Sequence, residues 1–167
     1  LELANKPLTK ILLTHSHANH SGGAHALRDR YGCQVYTSAQ EAPLVEHGTD
    51  QEMGLDVAKR SGFYSPDYRF NHCEVDVRVH HNDTIRCNSL EIRVLHVPGH
   101  SVGSICYLVD LPEGRVLFSG DVVFWGGVIG LLNYNGSSLS DYRKYFNRLD
   151  DLGVDMLLPG HREFLMT

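Results

Sequence analysis

Several protein classes are excluded by what this sequence lacks. Its longest apolar runs fall far short of the roughly 18 residues that a membrane-spanning helix needs. Glu2, Asn5 and Lys6 interrupt any apolar core of a signal peptide at the start of the chain. Basic residues are also few, because 15 Lys and Arg stand against 20 Asp and Glu, for a net charge of −5. We therefore expect no membrane partner and no nucleic-acid partner, since binding to nucleic acid needs a basic surface.

Cysteine is scarce and its four copies are widely spaced: Cys33, Cys73, Cys87 and Cys106. They form no Cys-x-x-Cys pair, so they fit neither a zinc knuckle nor a dense disulfide framework. We interpret them as reduced and mostly buried thiols, which predicts a cytoplasmic protein. The length of 167 residues and the 42% hydrophobic content predict a single domain over residues 1–167.

The pattern of apolar residues predicts a mixed fold of helices and strands. The first half alternates the two, with strands at 10–13 and 34–37 and a helix at about 21–31 that Gly32 ends. Ser38 followed by Glu41 has the form of a capping box and predicts that a second helix begins at Ser38. The second half is mostly strands, at 74–80, 83–86, 90–96, 104–110, 115–119 and 156–158, with one amphipathic helix at 138–152.

Three histidines, His15, His17 and His20, follow the apolar run at 11–13 within six residues. A buried strand that ends in such a turn directs several imidazole nitrogens toward one point, and imidazole is a common ligand of zinc. The segment therefore predicts a metal site. Asn19 stands where a carboxylate would be the natural companion of these histidines.

Three later segments have the same design, in which a buried strand ends in a turn that carries a potential ligand. They are Pro98-Gly99-His100, Ser119-Gly120-Asp121 and Pro159-Gly160-His161. Glycine lets the chain bend sharply where a strand ends. Ligands at the ends of several strands of one rigid framework suit a preorganised metal centre.

These motifs together resemble the signature of the metallo-β-lactamase fold superfamily, and its glyoxalase II-like hydrolase branch in particular. The family pattern H-x-H-x-D-H, then His, Asp and His, is matched here from residue 11 to residue 161, nearly the whole chain. The resemblance implies an α/β fold, specifically an αβ/βα sandwich of the α+β kind. It also implies a catalytic centre that holds one or two zinc ions, with iron or manganese as the alternatives.

The resemblance assigns a role to each motif residue. His15, His17 and His100 would hold the first metal, His20, His161 and Asn19 the second, and Asp121 would bridge both. Asn19 and Asp121 would be the catalytic side chains, acting with a metal-bound hydroxide on a small ester, thioester, lactone or amide. The implied partner is a small-molecule substrate.

The sequence departs from the family pattern in two places. The family has Asp where Asn19 stands, and an amide oxygen is a weaker metal ligand than a carboxylate. We therefore expect a second metal site that is weak or empty and a hydrolase activity that is reduced. The family also places a β-hairpin region before the first histidine motif, whereas about ten residues precede Ile11 here. This difference predicts that N-terminal strands are missing or truncated, and that the exposed sheet edge pairs with a second copy as a homo-oligomer.

Other functions stay open at this point. Asn19 favours a catalytically inactive or mononuclear relative that acts in binding. A mononuclear iron enzyme similar to the persulfide dioxygenases needs only two histidines and a carboxylate, which this chain has. A β-lactamase is a third alternative. Beside Asp121, the glycine-rich stretch at 122–136 carries Phe124, Trp125, Leu131, Leu132 and Tyr134, which predicts either an apolar substrate wall or part of the core.

Overall fold

A computed structural model describes residues 6–161 and 165–166 of the chain. Contacts within the chain divide it into two compact units, with the boundary after Arg78. The single domain over residues 1–167 stays a prediction, and each unit is described by itself. Among the described residues, no helix has both the length and the apolar character that crossing a membrane requires.

The first unit alternates strands and short helices, as its sequence predicts. Its helices are α1 (Ala18–Ser21), α2 (Ala24–Tyr31), α3 (Ala42–His47) and α4 (Leu55–Arg60), and its strands are β1 (Lys10–Leu12) and β2 (Gln34–Ser38). β1 and β2 pair in parallel, and the sheet order is β1-β2-β3 with β3 at Val77–Val79. Its buried core contains Leu13, Ala24, Val35, Ala42, Val45, Cys73 and Val75.

The second unit is built on a six-stranded sheet. Its strands are β4 (Thr84–Cys87), β5 (Leu90–His96), β6 (Ile105–Leu111), β7 (Gly114–Gly120), β8 (Met156–Pro159) and β9 (Leu165–Met166), in that order across the sheet. Neighbours are antiparallel except β7 and β8, which are parallel. Helix α5 (Leu139–Tyr145) continues into a 3-10 helix at Phe146–Leu149. Tyr142, Phe146 and Leu149 pack on the sheet core of Leu95, Val97, Cys106, Leu108, Leu117 and Val122.

The sheet topology explains why the predicted ligand turns lie together in the second unit. β5 and β7 are both antiparallel to β6, so they run in the same direction and end at the same edge of the sheet. β8 pairs in parallel with β7 and places Pro159 opposite Gly120. His100, Asp121 and His161 each follow one of these three strand ends.

Two predicted helices differ from the structure. The helix predicted to begin at Ser38 begins at Ala42 instead, with Pro43 in its first turn. Proline has no N–H and is tolerated only at the start of a helix, so it sets the starting point. The helix predicted at 138–152 ends as an α-helix at Tyr145, and its next turn tightens into the 3-10 form. Ser138 does cap it, since its hydroxyl accepts a hydrogen bond from the Asp141 N–H.

The cysteine prediction is confirmed. All four cysteines are free thiols, and Cys87 alone of the four is not fully buried. Burial raises the pKa of the Cys106 thiol far above its ordinary value, so this group stays protonated and behaves as a small apolar side chain.

Candidate metal centre

The first unit holds three imidazoles side by side. His15 is fully buried at 0% exposure, and its ring centre lies 4.7 Å from that of His17 and 4.2 Å from that of His20. A ligand nitrogen of His15 lies within 4.8 Å of one on each of these two histidines. The Thr14 hydroxyl is 3.0 Å from His15 Nδ1 and helps to set the orientation of this ring. The turn after β1 therefore gathers the three histidines, as the sequence predicts.

The backbone of this turn is held by hydrogen bonds from two buried side chains. The Ser21 hydroxyl lies 2.7 Å from the carbonyl of Ser16 and 3.1 Å from that of His17. On the other side, the Ser16 N–H donates to Glu41 Oε2 at 2.8 Å. Glu41 is fully buried and does not cap α3 through its side chain. The Ser38 hydroxyl does accept a hydrogen bond from the Glu41 N–H at 3.2 Å, as a capping box requires, but the α-helix begins only at Ala42, with Pro43 in its first turn.

Asn19 lies on α1, between the buried turn and His20, and its side chain is exposed to solvent. The short helix places it one residue before His20, so both project from the same turn of backbone. A metal-ligand role for Asn19 stays a prediction.

The second unit brings together one carboxylate and two imidazoles. His100 Nε2 lies 3.6 Å and His161 Nε2 lies 3.4 Å from the same atom, Asp121 Oδ2. Asp121 is 7% exposed and His100 is 2% exposed. The His161 side chain is 45% exposed, so this cluster has an open side. The structure therefore brings His100, Asp121 and His161 together, and their role as metal ligands stays a prediction.

The ring of His100 is oriented by a backbone carbonyl. Its Nδ1 lies 2.5 Å from the oxygen of Gly130. Because a carbonyl can only accept, Nδ1 carries the proton, and Nε2, on the side of Asp121, is the nitrogen available to a metal. A Cβ at residue 130 would lie 2.0 Å from the Asp121 carbonyl oxygen, so only glycine allows this approach. Such an outer hydrogen bond is the usual way in which proteins orient a metal-binding histidine.

Tyr142 contacts two of the three ligand turns of the second unit. Its hydroxyl is 3.0 Å from the Val122 carbonyl and 3.4 Å from that of Asp121, and burial raises the pKa of this phenol, which keeps it a donor. Its ring packs on Gly99, where a Cβ would lie 2.5 Å from the ring and φ is +146°. The residue before His100 and the residue after Asp121 are thus held by one side chain.

We expect Tyr142→Phe to lower the free energy of unfolding by about 1 kcal/mol, the usual loss for one buried hydrogen bond, and to weaken metal binding because the Asp121 turn loosens. Denaturant unfolding and a zinc competition titration measure the two effects. Tyr36→Phe is the matched control, because it removes a hydroxyl that bonds Gln34 in the first unit. Equal metal affinity in both variants would contradict the role given to Tyr142.

The second-unit donors fit a metal ion such as zinc. Imidazole nitrogen and carboxylate oxygen are both zinc ligands, and tetrahedral donors at 2.0–2.1 Å from the ion are about 3.4 Å apart. The separations of 3.4 and 3.6 Å match this spacing and are too long for strong direct hydrogen bonds. The imidazole nitrogens of His15, His17 and His20 in the first unit are zinc donors of the same kind.

Comparison with known proteins agrees with these clusters. The profile of the Metallo-beta-lactamase superfamily matches residues 1–161. A chicken (Gallus gallus) protein named acyl-coenzyme A thioesterase MBLAC2 is 35% identical over 167 residues, which cover 93% of this chain and 57% of that protein. A hydroxyacylglutathione hydrolase from Bradyrhizobium sp. (strain BTAi1 / ATCC BAA-1182) is 29% identical over 124 residues, covering 74% of this chain and 37% of the hydrolase. The chain therefore spans little more than half of the first relative and less of the second.

A solved structure has a similar fold. TTHA1623, in a di-iron-bound form, is 28% identical and superposes with a TM-score of 0.71, over 96% of this chain and 73% of its own. Its arrangement of strands and helices is thus shared over nearly all of the present chain. The mixed α/β fold predicted from the motifs is confirmed.

Proposed function

Because this chain belongs to the metallo-β-lactamase superfamily, we propose that it is a metal-dependent hydrolase of a small carbonyl substrate. The observation that carries the proposal is the approach of His100 Nε2 and His161 Nε2 to one oxygen of the buried Asp121. Membership of the family and the hydrolase names of the two curated relatives support the reaction class.

We assign the ligands as the family motif implies. His15, His17 and His100 would hold the first metal, and His20 and His161 would hold the second together with Asn19. Asp121 would supply a carboxylate ligand to both. When bound, the metal lowers the pKa of a bound water toward neutrality and polarises the substrate carbonyl. The Gly130 carbonyl and the Tyr142 hydroxyl keep His100 and the Asp121 turn in place, and so limit the reorganisation that the reaction requires.

Among the ester, thioester, lactone and amide candidates, we propose a thioester with an apolar acyl group as the substrate. One relative is named as an acyl-coenzyme A thioesterase. In this chain, Trp125 is 56% exposed, and Val128, Leu131 and Leu132 are exposed to nearly the same degree within the next seven residues. They flank Gly130, whose carbonyl contacts His100. Exposed large apolar side chains that lie close in sequence to a residue in contact with His100 are suited to bind an acyl chain. Phe124 of the same stretch is 9% exposed and fits the core alternative.

A substrate panel tests this proposal. The panel contains acyl thioesters of short, medium and long chain, a matched ester, a lactone and the β-lactam nitrocefin, each with zinc-loaded and with chelator-treated protein. We expect metal-dependent hydrolysis of thioesters and a kcat/KM that rises with chain length, because a longer chain buries more apolar surface. Hydrolysis that survives complete metal removal would contradict the proposal of a metal-dependent hydrolase. A kcat/KM that does not change with acyl-chain length would contradict the proposal that the exposed apolar residues bind the acyl chain.

Zinc is the metal that we propose, and iron is the main alternative because the structural relative was solved with two irons. The persulfide-dioxygenase-like alternative also requires iron. Elemental analysis of the purified protein discriminates between them, since zinc favours hydrolysis and iron favours the oxidative chemistry. The catalytically inactive binding protein is favoured by Asn19 alone. Cytoplasmic location, supported by the free thiols, and pairing with a second copy remain predictions.

A further inference from the structure

The first unit contains a buried carboxylate that the proposed reaction does not use. Glu41 is fully buried, and Oε2 accepts a hydrogen bond from the backbone N–H of Ser16 at 2.8 Å. Ser16 is the residue between His15 and His17. The carboxylate of Glu41 therefore contacts the backbone of the turn that carries His15 and His17.

Burying a carboxylate is costly unless hydrogen bonds compensate for its lost hydration. A role in starting α3 does not explain Glu41, because its side chain makes no capping bond there. Ser38 Oγ instead accepts from the Glu41 N–H at 3.2 Å, which fixes the backbone of Glu41 at the end of β2. The backbone of Glu41 is thus held by Ser38, and the carboxylate oxygen Oε2 contacts the turn that carries the histidines.

Two side chains hold the backbone of the turn around Ser16. Ser21 holds the carbonyls of Ser16 and His17, while Glu41 holds the N–H of Ser16. The carbonyl of Ser16 thus accepts a hydrogen bond from Ser21 in the adjoining helix, and its N–H donates to Glu41, 25 residues away. Small errors in the position of this turn would move both imidazoles at once, since both are attached within one residue of Ser16.

We propose that Glu41 is a positioning residue, whose reach to the Ser16 N–H keeps His15 and His17 in the geometry that binds metal. The inference rests on the proposed function, because it takes these histidines as metal ligands. In metal sites generally, groups that orient the metal ligands by hydrogen bonds contribute to binding, and their loss lowers metal affinity or activity about 10–100-fold.

Two substitutions separate the reach of the side chain from its charge. Glu41→Asp keeps the charge but shortens the side chain by one methylene, whereas Glu41→Gln keeps the length and an acceptor oxygen without the charge. Glu46→Asp is the control, because Glu46 lies on α3 and accepts from the Val75 N–H in the same manner, at 3.2 Å. Zinc affinity is measured by competition with a chelator, and hydrogen exchange of the segment 13–21 is measured in the metal-free protein.

We expect Glu41→Asp to weaken zinc binding about 10–100-fold, and Glu41→Gln and Glu46→Asp to stay within about threefold of the parent. In the metal-free protein, Glu41→Asp should speed hydrogen exchange in the segment 13–21, and Glu41→Gln should not. A loss of zinc affinity with Gln but not with Asp would overturn positioning in favour of charge, and equal losses with both would contradict a role of side-chain reach alone. An unchanged rate of hydrogen exchange in the segment 13–21 of Glu41→Asp would overturn the positioning role, whatever its zinc affinity. A parent that binds no zinc but shows the exchange pattern would contradict only the proposed function.

Discussion

Asp121→Asn is expected to lower both metal affinity and hydrolysis by more than about 100-fold, beyond the range seen when a group that merely supports a ligand is removed. The substitution keeps the shape of the side chain but replaces the carboxylate with a neutral amide. His100 and His161 then face a weaker donor at the position where their Nε2 atoms now lie 3.6 and 3.4 Å from Oδ2. Metal content by elemental analysis and kcat/KM for the best thioester of the panel measure the effect.

The stability of the metal-free protein should respond differently. Asp121 is 7% exposed, and an amide is less costly to bury than a carboxylate. We therefore expect an unchanged or higher midpoint of unfolding for metal-free Asp121→Asn. Asp110→Asn is the control, because Asp110 is an exposed carboxylate paired with Arg115 on the same sheet. If Asp121→Asn bound metal and turned over within tenfold of Asp110→Asn, the assignment of Asp121 would be wrong.

Asn19→Asp is expected to raise the bound metal from one equivalent to two. The substitution restores the carboxylate of the family pattern beside His20, and we expect at least about 10–100-fold tighter binding of the second ion. Asn19 is exposed on α1, so the extra charge requires little desolvation. Elemental analysis after dialysis against a buffer with defined free zinc measures the stoichiometry, and the thioester rate should rise with it.

The control for this gain is Asn71→Asp, which adds the same charge to an exposed position of the same unit that matches no ligand of the motif. Nonspecific attraction of a cation to added negative charge would raise the metal content of both variants. Two equivalents in the parent would contradict a second site weakened by Asn19. One equivalent in both the parent and Asn19→Asp would contradict the assignment of position 19 as a ligand.

The sequence predicted most of the fold because its periodicities are local. The seven-residue strand β5 was predicted with its observed bounds, since its apolar residues alternate along the chain. Gly32 ends α2 in the left-handed conformation, with φ of 63°. The start of α3 was predicted wrongly because the local bond between Ser38 and Glu41 does form, but residues 39–41 make a turn and the α-helix begins only at Ala42, with Pro43 in its first turn.

The sequence by itself predicted which residues would carry the proposed chemistry. Histidine and aspartate at the ends of apolar segments specify the donor atoms, and the order of the motifs identifies the family, because both are properties of residue type and spacing. The tertiary structure alone decided how these donors are held. The parallel pairing of β7 with β8 places Asp121 beside His161, Gly130 sets the tautomer of His100, and Glu41 supports the turn of His15 and His17. These contacts join residues 25 to 40 positions apart, which no local pattern encodes, because only the folded backbone brings such segments within hydrogen-bonding distance.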